Sequence, residues 1–154
     1  MKLFIYSIIF VFTFSKLSCK SDDGISYESR KVDNVVLSTN SNNFLKTYFS
    51  QSKINEVNQF VPQKPDGSVY EVNLDKQFLV DFDELGNWTV IEKIGKTDLP
   101  KTLIHQSIQN YIQKAYKDKK VAKLERIKEG FIVELQNDID LKFDKNGEFT
   151  ERLP

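Results

Sequence analysis

The sequence predicts an α+β fold: a tandem repeat of one helix plus four antiparallel strands, giving an eight-stranded sheet with both helices on one face. Three observations predict it. Apolar and polar residues alternate in several short runs, among them Tyr70, Val72 and Leu74, then Phe131, Val133 and Leu135, then Ile139, Leu141 and Phe143. A period of two means one buried face and one exposed face. Two other stretches carry apolar residues at helical spacing. Finally, one hairpin sequence occurs twice: Phe82-Asp83-Glu84-Leu85-Gly86-Asn87-Trp88 and, 61 positions later, Phe143-Asp144-Lys145-Asn146-Gly147-Glu148-Phe149. A recurrence of this kind marks a supersecondary unit used twice.

The chain opens on an apolar run of 12 residues, Leu3 to Phe14, behind Lys2. A membrane-spanning helix needs about 20 residues, so the run fits the apolar core of a signal peptide, residues 1–18. Lys16-Leu17-Ser18-Cys19 resembles a bacterial lipobox, in which a small residue precedes a cysteine that is lipidated. Ser18 fits, whereas Lys16 stands where an aliphatic residue is usual. Cleavage after Ser15 is the alternative. The acidic Lys20-Ser21-Asp22-Asp23 resembles the short signal that follows the lipidated cysteine in surface-exported lipoproteins. The expectation is an outer-membrane lipoprotein held to the membrane through Cys19, facing the periplasm or the cell surface; a soluble periplasmic protein is the alternative. Residues 19–34 are polar and read as a tether. The domain follows over 35–154, in two repeats of about 35–95 and 96–154.

In the first repeat, Phe44, Leu45, Tyr48 and Phe49 form a helical stripe, with a cap expected among Asn40, Ser41 and Asn42. Strands are expected near 54–61, 69–75, 77–83 and 87–94. In the second, Ile104, Ile108, Tyr111, Ile112 and Ala115 form the stripe, and Asp98 and Pro100 mark its start. Strands are expected near 121–129, 131–136, 139–144 and 148–153. Gly86 and Gly147 supply the positive φ that the repeated hairpin turn needs.

Charge and chemistry narrow the function. With the signal removed, twenty basic residues face twenty-two acidic ones. That balance exerts no long-range pull on phosphate backbones, so nucleic acid is not an expected partner. Cys19 is the only cysteine, so no internal disulfide forms. His105 is the only histidine and is expected on the surface of the second helix, without the His or Cys partners of a metal site. Ser50-Gln51-Ser52-Lys53 matches Ser-x-x-Lys, but Lys96-Thr97 is followed by Asp98 rather than the Gly of the companion motif. Asp83 and Asp144 lie in turns that lack the ligand spacing of a Ca²⁺ loop. No cofactor, metal ion or catalytic residue is expected.

These residues resemble the PepSY-like family of β-lactamase-inhibitor-like periplasmic proteins, from about Val35 to Leu153. The pieces are Phe44-Leu45 with Tyr48-Phe49, Ile54 and Val57, Val69 to Leu74, Phe82-Asp83 with Gly86-Asn87-Trp88, Leu99-Pro100, Tyr111-Ile112, Gly130-Phe131, Val133-Glu134-Leu135, and Phe143-Asp144 with Gly147. The first half departs in having Leu37-Ser38 where the family has Leu-Pro, and in a longer hairpin loop, Pro62 to Ser68. The resemblance implies an exported helix-plus-four-strand repeat without established catalytic residues.

Strict alternation places Tyr70, Val72, Leu74, Val80, Phe82, Trp88 and Val90 under the helices. It places Glu71, Asn73, Leu79, Asp81, Thr89, Ile91 and Lys93 on the opposite face, with Ile132, Glu134, Asp140, Lys142, Thr150 and Arg152 from the second half. The candidate binding surface is this face: Leu79, Ile91 and Ile132 as apolar anchors, and Glu71, Asp81, Lys93, Lys142 and Arg152 as the polar rim. The expected function is a non-catalytic binding or inhibitor-like module of the cell envelope, with a protein or peptide partner. A structural envelope protein without a specific ligand, or a small hydrolase, are the alternatives.

Overall fold

The structure is a computed structural model that describes residues 18–20 and 26–154. The apolar run Leu3 to Phe14, expected to be part of a signal peptide, lies outside the described residues. Among the described residues, two α-helices, α1 (Thr39–Tyr48) and α2 (Gln106–Ala115), accompany ten strands. These are β1 (Ser18–Lys20), β2 (Ser26–Val32), β3 (Ile54–Val61), β4 (Tyr70–Leu74), β5 (Phe78–Phe82), β6 (Trp88–Lys93), β7 (Val121–Ile127), β8 (Gly130–Leu135), β9 (Ile139–Asp144) and β10 (Phe149–Arg152). They form one antiparallel sheet in chain order.

The eight strands read from the sequence are β3 to β10. The sheet is larger because β2 adds to β3, and the three-residue β1 adds to β2. Residues 26–32 were expected within the tether. They form a strand because their polar side chains find partners on β3: Arg30 donates to Gln59 at 2.6 Å and Lys31 to Glu56 at 3.1 Å. Tyr27 also packs edge-on against Phe60.

Both helices pack on one face. Leu45 and Phe49 from the first half and Ile108 and Ile112 from α2 share one core with Val72, Val80, Val133 and Leu141. Helix α1 begins one turn earlier than the expected cap, at Ser38, whose Oγ accepts from Ser41 N at 3.1 Å. Before α2, Pro100 opens only a short 3-10 turn, Lys101–Leu103. The cap of α2 is His105, whose Nδ1 accepts from Ser107 N at 3.3 Å.

Each cap sits on the glycine of the following hairpin. Gly86 (φ +81°) lies under Ser38 and Ser41, and a Cβ on Gly147 (φ +77°) would fall 2.6 Å from His105 Nδ1. Glycine is therefore required twice over at these positions, for the turn and for the close approach. Asp83 and Asp144 complete the turns by accepting backbone N–H groups, Asn87 N at 2.8 Å in one and Asn146 N at 2.8 Å in the other.

The ladders carry four register shifts, and two of them change the face of predicted site residues. Phe82 stands opposite Trp88, but Val80 stands opposite Ile91, so β6 spends three residues where β5 spends two. In the second half Phe143 faces Phe149 while Leu141 faces Arg152. A bulge sends every later side chain to the other face. Ile91 is therefore fully buried in the core under the helices, and Val90 turns to the outer face opposite Glu125. Lys93 stands opposite Phe78, and Arg152 opposite Leu141, both on the helix side. The outer-face positions expected for Ile91, Lys93 and Arg152, and the core position expected for Val90, are corrected accordingly.

Candidate functional site

Residues directly opposite one another in a sheet share a face, so the registers define the outer surface. One row crosses it as Asn73, Leu79, Glu92, Lys123, Glu134 and Asp140. A second includes Glu71 opposite Asp81 on one side, and Glu125, Ile132, Lys142 and Glu151 on the other. Of the predicted site residues, Glu71, Leu79, Asp81, Ile132 and Lys142 lie here. Ile91, Lys93 and Arg152 do not join them. Cys19 pairs with Tyr27 at the far edge of the sheet.

One patch of this face, on the first-half strands, is closed. The hairpin loop from Pro62 to Ser68 folds back across it, tightened by Lys64 N donating to Ser68 O at 2.8 Å. Lys64 Nζ meets Asp81 Oδ2 at 2.6 Å and Glu71 at 3.7 Å, and lies 4.2 Å from the centre of the Phe60 ring. Ser68 Oγ shares a buried 2.7 Å hydrogen bond with Thr89 Oγ1. Phe60, Val90, Asp81 and Thr89 are buried as a result. The sequence showed an extra loop, but nothing in Gln63-Lys64-Pro65-Asp66 told that Lys64 would reach a strand carboxylate 17 positions away.

Burial pushes the Asp81 carboxyl up to about 7, against the pull of the Lys64 ammonium. On the open side, burial, reinforced by Asp140, holds Glu134 above the usual carboxylate range. There the charged neighbours form ion pairs: Lys142 meets Glu151 at 3.2 Å and Lys123 meets Glu125 at 3.4 Å. Leu79 and Ile132 are half-buried among them. Among the described residues, no three His, Cys, Asp or Glu side chains gather to hold a metal ion. His105 is exposed, and its Nδ1 is occupied as a helix cap.

Residues 68–151, more than half of the chain, match the family model described as "Putative beta-lactamase-inhibitor-like, PepSY-like". The chain belongs to the PepSY-like family. The matched stretch runs from the end of the closing loop through β10, so it holds both Leu79 and Ile132. No curated protein matches the chain. Among solved structures, the chain is similar to a putative calcium-regulated periplasmic protein from Bacteroides thetaiotaomicron, at 28% identity and a TM-score of 0.68, covering 82% of this chain and 97% of that one. It also resembles a putative periplasmic protein of unknown function from Bacteroides vulgatus, at 24% identity and a TM-score of 0.71, covering 82% and 99%. That second likeness speaks for the fold alone. In this PepSY-like chain the Asp83 and Asp144 carboxylates are spent on turn N–H groups.

Proposed function

We propose that this chain is a non-catalytic binding module of the bacterial cell envelope, exported, lipid-anchored at Cys19, and built from two copies of one helix-plus-four-strand unit. It docks a protein or peptide partner through the part of its outer sheet face that the loop leaves open. The observation that carries this reading is the asymmetry of that face. The loop closes the patch of Phe60, Asp81, Thr89 and Val90, whereas Leu79 and Ile132 remain accessible among Glu92, Lys123, Glu134 and Lys142. Two half-buried apolar side chains inside a polar surround suit an interface centre with a polar rim. The periplasmic description of a relative 28% identical supports export. The identical bulge registers of β6 and β10 support the two-copy origin. The use of His105 as a cap speaks for binding over a hydrolase, which needs convergent titratable groups in a pocket.

The test is site-specific photo-crosslinking in intact cells from positions 79 and 132, beside a control position on α1. A discrete adduct from both outer-face positions, lost in the Leu79→Ser/Ile132→Ser double variant, is the expected result. Adducts that form equally from α1, or that survive the double substitution, move the interface elsewhere. Anchoring is tested separately by fatty-acid labelling, which should mark the wild type and not Cys19→Ala.

A further inference from the structure

A second feature lies on the helix side, away from the outer sheet face and independent of its role. Between α2, the connection that precedes it and the turn that follows it runs a groove of about 520 Å³. Leu99, Ile104, Ile112 and Val121 form its floor, and Lys101, Lys117, Lys119 and Lys120 stand around its rim. The single lining carboxylate, Asp98, is already held by Lys93 at 2.8 Å and Lys120 at 2.6 Å. Lys101, Lys117 and Lys119 have no anionic partner among the described residues.

The first half shows what the fold itself demands here. Ser38 and His105, the two helix caps, stand 67 positions apart, as do the C-terminal caps Phe49 and Tyr116. At that spacing the floor is apolar in both halves: Leu37 answers Ile104, Leu45 answers Ile112 and Ile54 answers Val121. Even the side-chain amides correspond, since Asn42 donates to Leu37 O and Gln109 to Ile104 O. Of the rim, only Lys120 has a basic counterpart, Lys53. Asn34, Ser50 and Ser52 occupy the places of Lys101, Lys117 and Lys119. Packing therefore accounts for the floor and leaves the lysines unexplained. A helix dipole favours cations near the C-terminus of α2, which covers Lys117, but Lys101 approaches from the other end of the helix.

We propose that this groove binds an anionic amphiphile, a small molecule with one acidic head on an apolar body. Three uncompensated ammonium groups match the head by charge, and the volume is that of an ordinary small-molecule site. The experiment titrates the purified full-length chain with dodecyl phosphate below its micelle concentration. Saturable one-to-one binding is expected, weakening at least tenfold in the Lys101→Gln/Lys117→Gln/Lys119→Gln variant and unchanged in Lys114→Gln, whose lysine is exposed on α2 outside the groove. Thermal unfolding checks that the triple variant is folded. Should it not be, Gln113→Glu, which places a negative charge on the groove wall, is expected to weaken binding likewise. Inorganic phosphate binding as tightly as dodecyl phosphate would overturn the amphiphile. So would binding to phosphatidylglycerol vesicles without binding of the free amphiphile, because that pattern describes a membrane-facing basic patch. Affinity unaltered in the triple variant overturns the site itself.

Discussion

At the scale of single residues, one bulge decides which side chains matter. By strict alternation Ile91 is an outer-face residue whose truncation costs little. Opposite Val80 and fully buried, it is a core residue, and Ile91→Ala should cost about 2–5 kcal/mol. Leu79→Ala, half-buried on the outer face, should cost distinctly less. Urea unfolding of the two variants checks the phase, and equal losses would contradict it. Trp88 keeps its expected burial, with the Arg126 guanidinium 4.1 Å from its ring and the near-parallel Phe131 ring at 6.4 Å. Asp81 sets a pH dependence. Its carboxyl is pushed up to about 7 in the folded chain, against about 4 when unfolded. Between those values the folded state holds a proton that the unfolded state has lost. The stability this group contributes is complete below about pH 4 and is lost as pH rises through about 7. Asp81→Asn should flatten that fall, so that the variant compares better with wild type at pH 8 than at pH 4 in urea midpoints. A wild-type-like slope in the variant would assign the titration elsewhere.

At the scale of elements, the helix caps and hairpin glycines act as pairs. His105→Ala should cost about 1 kcal/mol by losing the cap on Ser107 N, and His105→Asn should restore most of it. Gly147→Ala should cost more than either, because it meets an unfavourable φ and the His105 ring together. Thermal unfolding of the three variants orders them. These pairs also show what the sequence made legible. The glycines, the eight strands from β3 to β10 and both helices follow from local chemistry: period two, period 3.6 and a turn repeated at fixed spacing. The caps do not, because Ser38 and His105 are defined by where the chain turns into the helix. The bulges are hidden for a different reason. Val90 and Ile91 are both apolar, so hydrophobicity alone gives no signal that the phase slips between them. Strand β2 stayed unread because its stabilising contacts are polar and lie on β3, more than two dozen positions away. The site shares these limits: Leu79, Ile132, Glu71, Asp81 and Lys142 lie before their bulges and kept their face, whereas Ile91, Lys93 and Arg152 lie after them.

At the scale of the whole molecule, the two halves differ most in one loop. The caps and first strands stand 67 positions apart, but Tyr70 and Phe131, just beyond the loop, stand 61 apart. The difference is the extra chain between Val61 and Val69, where the second half turns between Ile127 and Gly130. Those residues lay Lys64 across Phe60 and beside Asp81, and place Ser68 against Thr89. They convert part of a two-sided sheet into a second, smaller packed layer. Replacing Pro62–Ser68 by a two-residue turn tests this. Shortening the loop relieves closure entropy, but only by about 1 kcal/mol or less for this change in length. Exposing Phe60 alone removes about 1.5–3 kcal/mol of apolar burial, and Val90 and the Ser68–Thr89 bond are lost with it. The shortened chain should therefore unfold at lower urea, and should bind an apolar fluorescent dye while still folded, since Phe60 and Val90 become exposed on its outer face. Crosslinking from positions 79 and 132 should persist in it, because the open part of the face keeps its own residues. A shortened chain as stable as wild type, with no dye binding, would mean that the loop merely rests on a face able to tolerate water.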